Sequence, residues 1–128
     1  MQKVTDFLEQ FGAKATLFEF TIDTSVGDSG EFTPFLNLWA FKADPERFTN
    51  AMKSAEENDD INFLYDVVEE VGVSNFEVPL DSFFPDWPEN LEEGEAKLKQ
   101  SLADLVKQSG FQGDVYFHHV DTLPLEKI

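Results

Sequence analysis

The sequence predicts an α+β fold: a single domain over residues 1–128, with an antiparallel sheet of about four strands and helices packed mainly on one face. The expected order is α-β-β-α-α-β-α-β. Three observations lead there. Apolar side chains follow the two-residue period of strands over 15–23 and 32–42, and 114–120 reads as a further strand. They follow the helical period over 3–11, from Asp44 to Ala55, over 60–71 and over 91–109. The chain is 128 residues long, 41% hydrophobic, with 14 Phe, which is enough to bury a core.

Val4, Phe7, Leu8 and Phe11 make the apolar stripe of the first helix, and Gly12 can close it. In 15–23, Phe18, Phe20 and Ile22 alternate with Glu19, Thr21 and Asp23, as in a half-buried strand. Residues 25–30 are turn chemistry. The strand over 32–42 is apolar on both faces, Phe35, Trp39 and Phe41 against Leu36, Leu38 and Ala40, so it is central, with Pro34 near its start.

Asp44-Pro45-Glu46 signals a helix start: Asp44 caps, Pro45 suits the first turn and Glu46 meets the positive end of the dipole. Phe48, Ala51, Met52 and Ala55 face inward. Over 60–71, Leu64, Val67, Val68 and Val71 share one side, with Asp66, Glu69 and Glu70 opposite and Gly72 as a terminator. That spacing predicts helix, although the β-branched content also suits a strand. Residues 73–80 form a short strand that Pro79 keeps at an edge or end. Residues 81–90 form an aromatic, Pro-rich loop. The helix over 91–109 is the clearest: Asn90 caps it, Glu93–Lys97 and Glu95–Lys99 pair at i, i+4, and Gly110 ends it. A strand over 114–120 and a tail that can pair complete the chain.

The formal net charge is −17, and it is not spread evenly. Residues 54–96 hold 14 acids and no base. Such a charge repels phosphate backbones and anionic lipid, which excludes direct nucleic-acid binding and a polybasic membrane contact. No apolar run is long enough to span a bilayer, and no secretory signal is visible, so a cytoplasmic location is expected. There is no cysteine, hence no disulfide or thiolate chemistry.

Catalytic motifs are weak. Gly27-Asp28-Ser29-Gly30 resembles the segment around the nucleophile of trypsin-like proteases over four residues. The following Glu31-Phe32 departs from that family's pattern, and the chain has about half the length its two barrels need. A hairpin turn accounts for these residues. His118 and His119 are neighbours on a strand and point to opposite faces, so they do not chelate one metal. One should face the core or a helix, and Asp114 or Asp121 could make it a general base. No metal site and no cofactor is expected.

The remaining signal is the acidic third. The expected function is that of a non-catalytic binding or inhibitor protein with an acidic face for a basic partner, a nuclease or toxin domain, as in a bacterial toxin–immunity pair. The partner-binding residues expected from the sequence are Glu56, Glu57, Asp59, Asp60, Asp66, Glu69, Glu70, Asp81, Phe84, Asp86 and Trp87. Phe84 and Trp87 join that set because aromatics among carboxylates resemble interface hot spots. Two alternatives stand beside it: a small enzyme or ligand-binding domain with incidental acidity, and a DNA-mimic inhibitor of a DNA-binding protein.

Overall fold

The computed structural model describes residues 1–74, 77–85, 89, 91–119, 123 and 125–128. The sheet grows from one long hairpin. Strand β1 (Leu17–Val26) pairs antiparallel with β2 (Phe32–Lys42) along its whole length, from Leu17 opposite Phe41 to Val26 opposite Phe32. The turn between them is closed by the Gly30 N–H donating to the Gly27 carbonyl at 2.9 Å. Gly30 sits at φ 80°, a backbone region that a side chain disfavours. The Gly-Asp-Ser-Gly segment is therefore a hairpin turn.

Strand β3 (Glu69–Val73) and the short β4 (Val78–Pro79) both lie on the far edge of β2. On the other side of β1 runs β5 (Asp114–His119), parallel to it, followed by β6 (Glu126–Lys127), antiparallel to β5. The order is β3-β2-β1-β5-β6, with β4 beside β2.

The described residues thus form one mixed, six-stranded sheet, not an antiparallel sheet of about four strands. The direction of β5 has a local cause. Helices α1 (Gln2–Phe11) and α4 (Leu91–Ser109) pack on the same sheet face, and each feeds its strand from the same end. The strand entrances meet where the Asp114 N–H donates to the Thr16 carbonyl at 3.3 Å. Two strands entered from the same end must run in the same direction.

A second correction concerns 60–71, which is not one helix. It holds the four-residue α3 (Asn62–Tyr65), then a turn, then β3. Val71 and Val73 lose rotamer freedom in a helix and fit the pleated strand β3, while Val67 and Val68 lie in the turn before it. The open edge of β2 supplies the strand's backbone partners, with Gly72 opposite Ala40 and a bulge between Ala40 and Phe41. Gly72 does not terminate a helix; it lets the Phe11 ring approach, since a Cβ there would lie 2.5 Å from that ring. Of the strand expected over 73–80, only β4 forms among the described residues, and Phe76 lies outside them.

Helices also cover both faces, not mainly one. Phe18, Phe20, Ile22, Leu36, Leu38 and Ala40 bury against Val4, Phe7 and Leu8 of α1 and Leu98 and Leu102 of α4. On the opposite face, Leu17, Phe41 and Tyr116 pack with Phe48, Ala51 and Ala55 of α2 (Pro45–Asn58) and Leu64 of α3. Helix α2 begins as its sequence implies, with the Asp44 carboxylate accepting from the Arg47 N–H at 3.0 Å. The expected cap Asn90 lies outside the described residues, but both i, i+4 pairs of α4 form. Among the described residues, no helix is long and apolar enough to cross a membrane.

The β5–β6 edge makes stability depend on alkaline pH. Burial, and then the nearby Asp114 charge, push the Tyr116 hydroxyl above its ordinary 10.0. An ion pair with Asp114 at 2.9 Å raises Lys127 above its ordinary 10.5. Both groups bind their protons more tightly folded than unfolded. Their contribution is complete below about pH 10 and is lost as pH rises through the folded values. The denaturation midpoint should fall between about pH 10 and pH 11.5, and Tyr116→Phe, which removes the buried hydroxyl, should lessen the fall. A midpoint that does not move over that range would contradict this account.

Candidate functional site

Alternation along β1 sends Phe18, Phe20 and Ile22 to one core and Glu19, Thr21 and Asp23 to the other face. That second face is only partly covered, because α2 and α3 pack over the end carrying Leu17, Phe41 and Tyr116. A cleft of about 520 Å³ occupies the adjoining part of the sheet.

Its lining changes character along the strands. Trp39, Phe41, Tyr65 and Val68 make one half apolar and aromatic. Trp39 and Phe41 lie parallel, 6.1 Å between centroids, and Tyr65 leans toward Phe41 at 6.5 Å. Thr21, Asn37, Asp23 and His118 line the other half. The register fixes that sequence: Phe41 opposite Leu17, Trp39 opposite Glu19, Asn37 opposite Thr21, and His118 beside Thr21 on β5. Glu70 completes the lining beside Phe41.

Beneath the cleft lies a buried polar pair. His118 Nε2 stands 2.5 Å from Glu19 Oε1, with side-chain exposures of 1% and 5%. The Tyr65 hydroxyl donates to the same Glu19 oxygen at 3.3 Å, and Thr21 Oγ1 lies 3.4 Å from Nε2. His118 Nδ1 is buried and has no hydrogen-bond partner among the described residues. The carboxylate thus fixes the imidazole through one nitrogen, while the other is enclosed without a hydrogen-bond partner among the described residues.

The two histidines do point to opposite faces. His118 is in the core with Glu19, and His119 meets Glu95 of α4 at 3.2 Å. Asp114 pairs with Lys127, and Asp121 lies outside the described residues. Reading the sequence missed Glu19 as a site residue, because a polar residue alternating with Phe looks solvent-facing. One available signal was an acid between two Phe of an apolar strand, Glu19, set against a histidine following Phe117 in another, His118.

The residues expected to bind a partner do not form one surface. Glu56, Glu57 and Asp59 are exposed around the C-terminal end of α2, where Asp59 takes a left-handed φ of 48°. Asp60 accepts from the Asn62 N–H at 3.0 Å and so helps start α3. Asp66, Glu69 and Glu70 follow as exposed residues from the end of α3 into β3. Asp66 and Glu69 border a shallow groove that also holds Lys42 and Arg47, which offsets part of their charge. Asp81 is exposed on the segment that packs with α1 and α4, and Phe84 is buried in that core. The acids of α4, Glu92, Glu93 and Glu95, belong to the same layer. Asp86 and Trp87 lie outside the described residues. The acidic third thus divides between the two faces of the sheet, and the larger group of exposed expected residues runs along α2, α3 and β3. Two exposed aromatics, Phe63 and Tyr65, sit within that group. No family model, curated protein or solved structure matches the chain, so its function must be argued from this geometry.

Proposed function

We propose that the chain is a non-catalytic binding protein that engages a basic protein through the acidic α2–α3–β3 side, in the manner of an immunity protein that neutralises a cationic nuclease or toxin domain. One observation carries the reading: α2, α3 and the turn after them expose Glu56, Glu57, Asp59 and Asp66 together with two large aromatics, Phe63 and Tyr65, on one stretch of chain. Exposed aromatic area among carboxylates is the composition of a hot spot with electrostatic steering. The partner is opposite in charge to this chain and handles phosphate or another anion.

Co-expression with the product of the neighbouring reading frame tests it. A basic protein should co-purify at about 50 mM salt and dissociate at about 500 mM, where charges beyond a few ångströms are screened. Glu56→Lys/Glu57→Lys/Asp66→Lys should weaken the association at least about tenfold while leaving the circular dichroism unchanged. Association that ignores both salt and the triple reversal would remove the electrostatic reading. A second reading, a ligand-binding domain or small enzyme, draws support from the buried His118–Glu19 pair beneath the cleft, whose Nδ1 has no partner among the described residues.

A further inference from the structure

We propose that the cleft between Tyr65 and Asp23 is a subsite for an organic cation with an apolar body, a guanidinium or an alkylammonium. The inference deepens the proposed function and rests on it only for the source of the cation, which is either a side chain of the basic partner or a free small molecule.

A cleft of about 520 Å³ falls within the range of small-ligand sites and is larger than a packing defect. From the row of Phe41 to the row of Asp23 is six residues along β1, about 20 Å at strand rise. The occupant is therefore elongated.

Its two ends meet different chemistry. At one end, Trp39, Phe41 and Tyr65 offer ring surface to an apolar stem. Aromatic faces also attract cations. At the other end, Asp23 carries a formal negative charge beside the Asn37 amide and the Thr21 hydroxyl. Glu19 places a second carboxylate under the floor, held by His118 and Tyr65. Among the described residues, no lysine or arginine lines the cleft. An anionic occupant would meet Asp23, Glu70 and Glu19 with no fixed cation to compensate, whereas a cation gains from each of them. A neutral occupant would use the aromatic half and leave the carboxylate end without a partner.

Calorimetric titration of the full chain tests this with two matched pairs. N-acetyl-arginine amide is compared with N-acetyl-citrulline amide, and phenethylammonium with 2-phenylethanol. Within each pair the shape is kept and the charge removed. At least one cation should saturate with a Kd below about 1 mM, and its neutral match should bind at least about tenfold more weakly. Asp23→Asn should abolish that preference without changing the denaturation midpoint. Preference for the arginine compound assigns the source to a partner side chain; preference for phenethylammonium assigns it to a free amine. Equal binding of cation and neutral match, or no saturation below about 10 mM, overturns the proposal. The triple reversal of Glu56, Glu57 and Asp66 leaves the cleft lining intact. If it weakens partner association while Asp23→Asn does not, and no cation saturates, the subsite fails and the partner reading stands. If cations saturate but no basic protein associates, the reverse holds.

Discussion

Replacing His118 by alanine should destabilise the protein by about 3–5 kcal/mol, a large share of the stability of a domain this size. The Glu19 carboxylate, 5% exposed in the native pair, would lose its histidine and keep the Tyr65 hydroxyl as a side-chain partner among the described residues. A buried charge that loses its partner keeps the desolvation penalty and loses the compensation. Removing both groups has a different sign. The double variant Glu19→Leu/His118→Leu should be as stable as the native chain or more stable by about 1–4 kcal/mol, because well-packed apolar groups carry no desolvation cost. Urea denaturation of both variants decides between them. If the alanine variant loses under about 1 kcal/mol, the pair is solvated. If the double variant loses as much as the single one, the pair itself stabilises the fold. The expected pattern, a costly single and a harmless double, would mean that the pair is present for what it does in the cleft.

The second large effect is at Gly94, in the first turns of α4. On helix propensity alone, Gly94→Ala should stabilise by about 1 kcal/mol. The surroundings reverse that sign. A Cβ at this position would lie 2.3 Å from the Phe83 carbonyl oxygen and 2.4 Å from the Phe84 ring. The backbone oxygen cannot rotate away, and Phe84 is buried in the core. Overpacking of this kind costs about 1–3 kcal/mol, so Gly94→Ala should lower the denaturation midpoint. A variant more stable than the native chain would show that the Phe83–Phe84 segment shifts freely off the helix.

These two positions also mark where the sequence could be read and where it could not. The hairpin of β1 and β2, the start of α2 and the stripe of α4 depend on neighbours in sequence, and local periods and caps reveal them. The pairing of β6 with β5 was also within reach, as a tail that could add to a strand. The parallel alignment of β1 and β5 was not. Nothing within either strand records that Thr21 will lie beside His118, 97 residues away. Residues 60–71 failed for a different reason. Their spacing satisfied a helix and their β-branched composition a strand, and the free edge of β2 decided the outcome. The cleft depends on both of these hidden facts, since His118 is brought by β5, and Tyr65 and Val68 by the short α3 and its turn. Phe84 shows the limit of composition: aromatics among acids suited an exposed hot spot, yet this ring fills the core beside Gly94.

The parallel pairing of β1 with β5 has a consequence in time. During synthesis, the β1–β2 hairpin needs only residues 17–42, and its short loop closes at little entropic cost. Glu19 is by then in place on its strand, but its histidine is 99 residues away and has not been made. Contacts at that separation are the slowest to form, because most of the chain must be ordered before they are rewarded. The carboxylate therefore stays in water, where its charge costs nothing, until β5 arrives and the two groups leave solvent together. A nascent chain that has not reached Asp114 can form the hairpin and α2 but has no buried pair, and its cleft lacks His118. The site is complete only once β5 has joined the sheet.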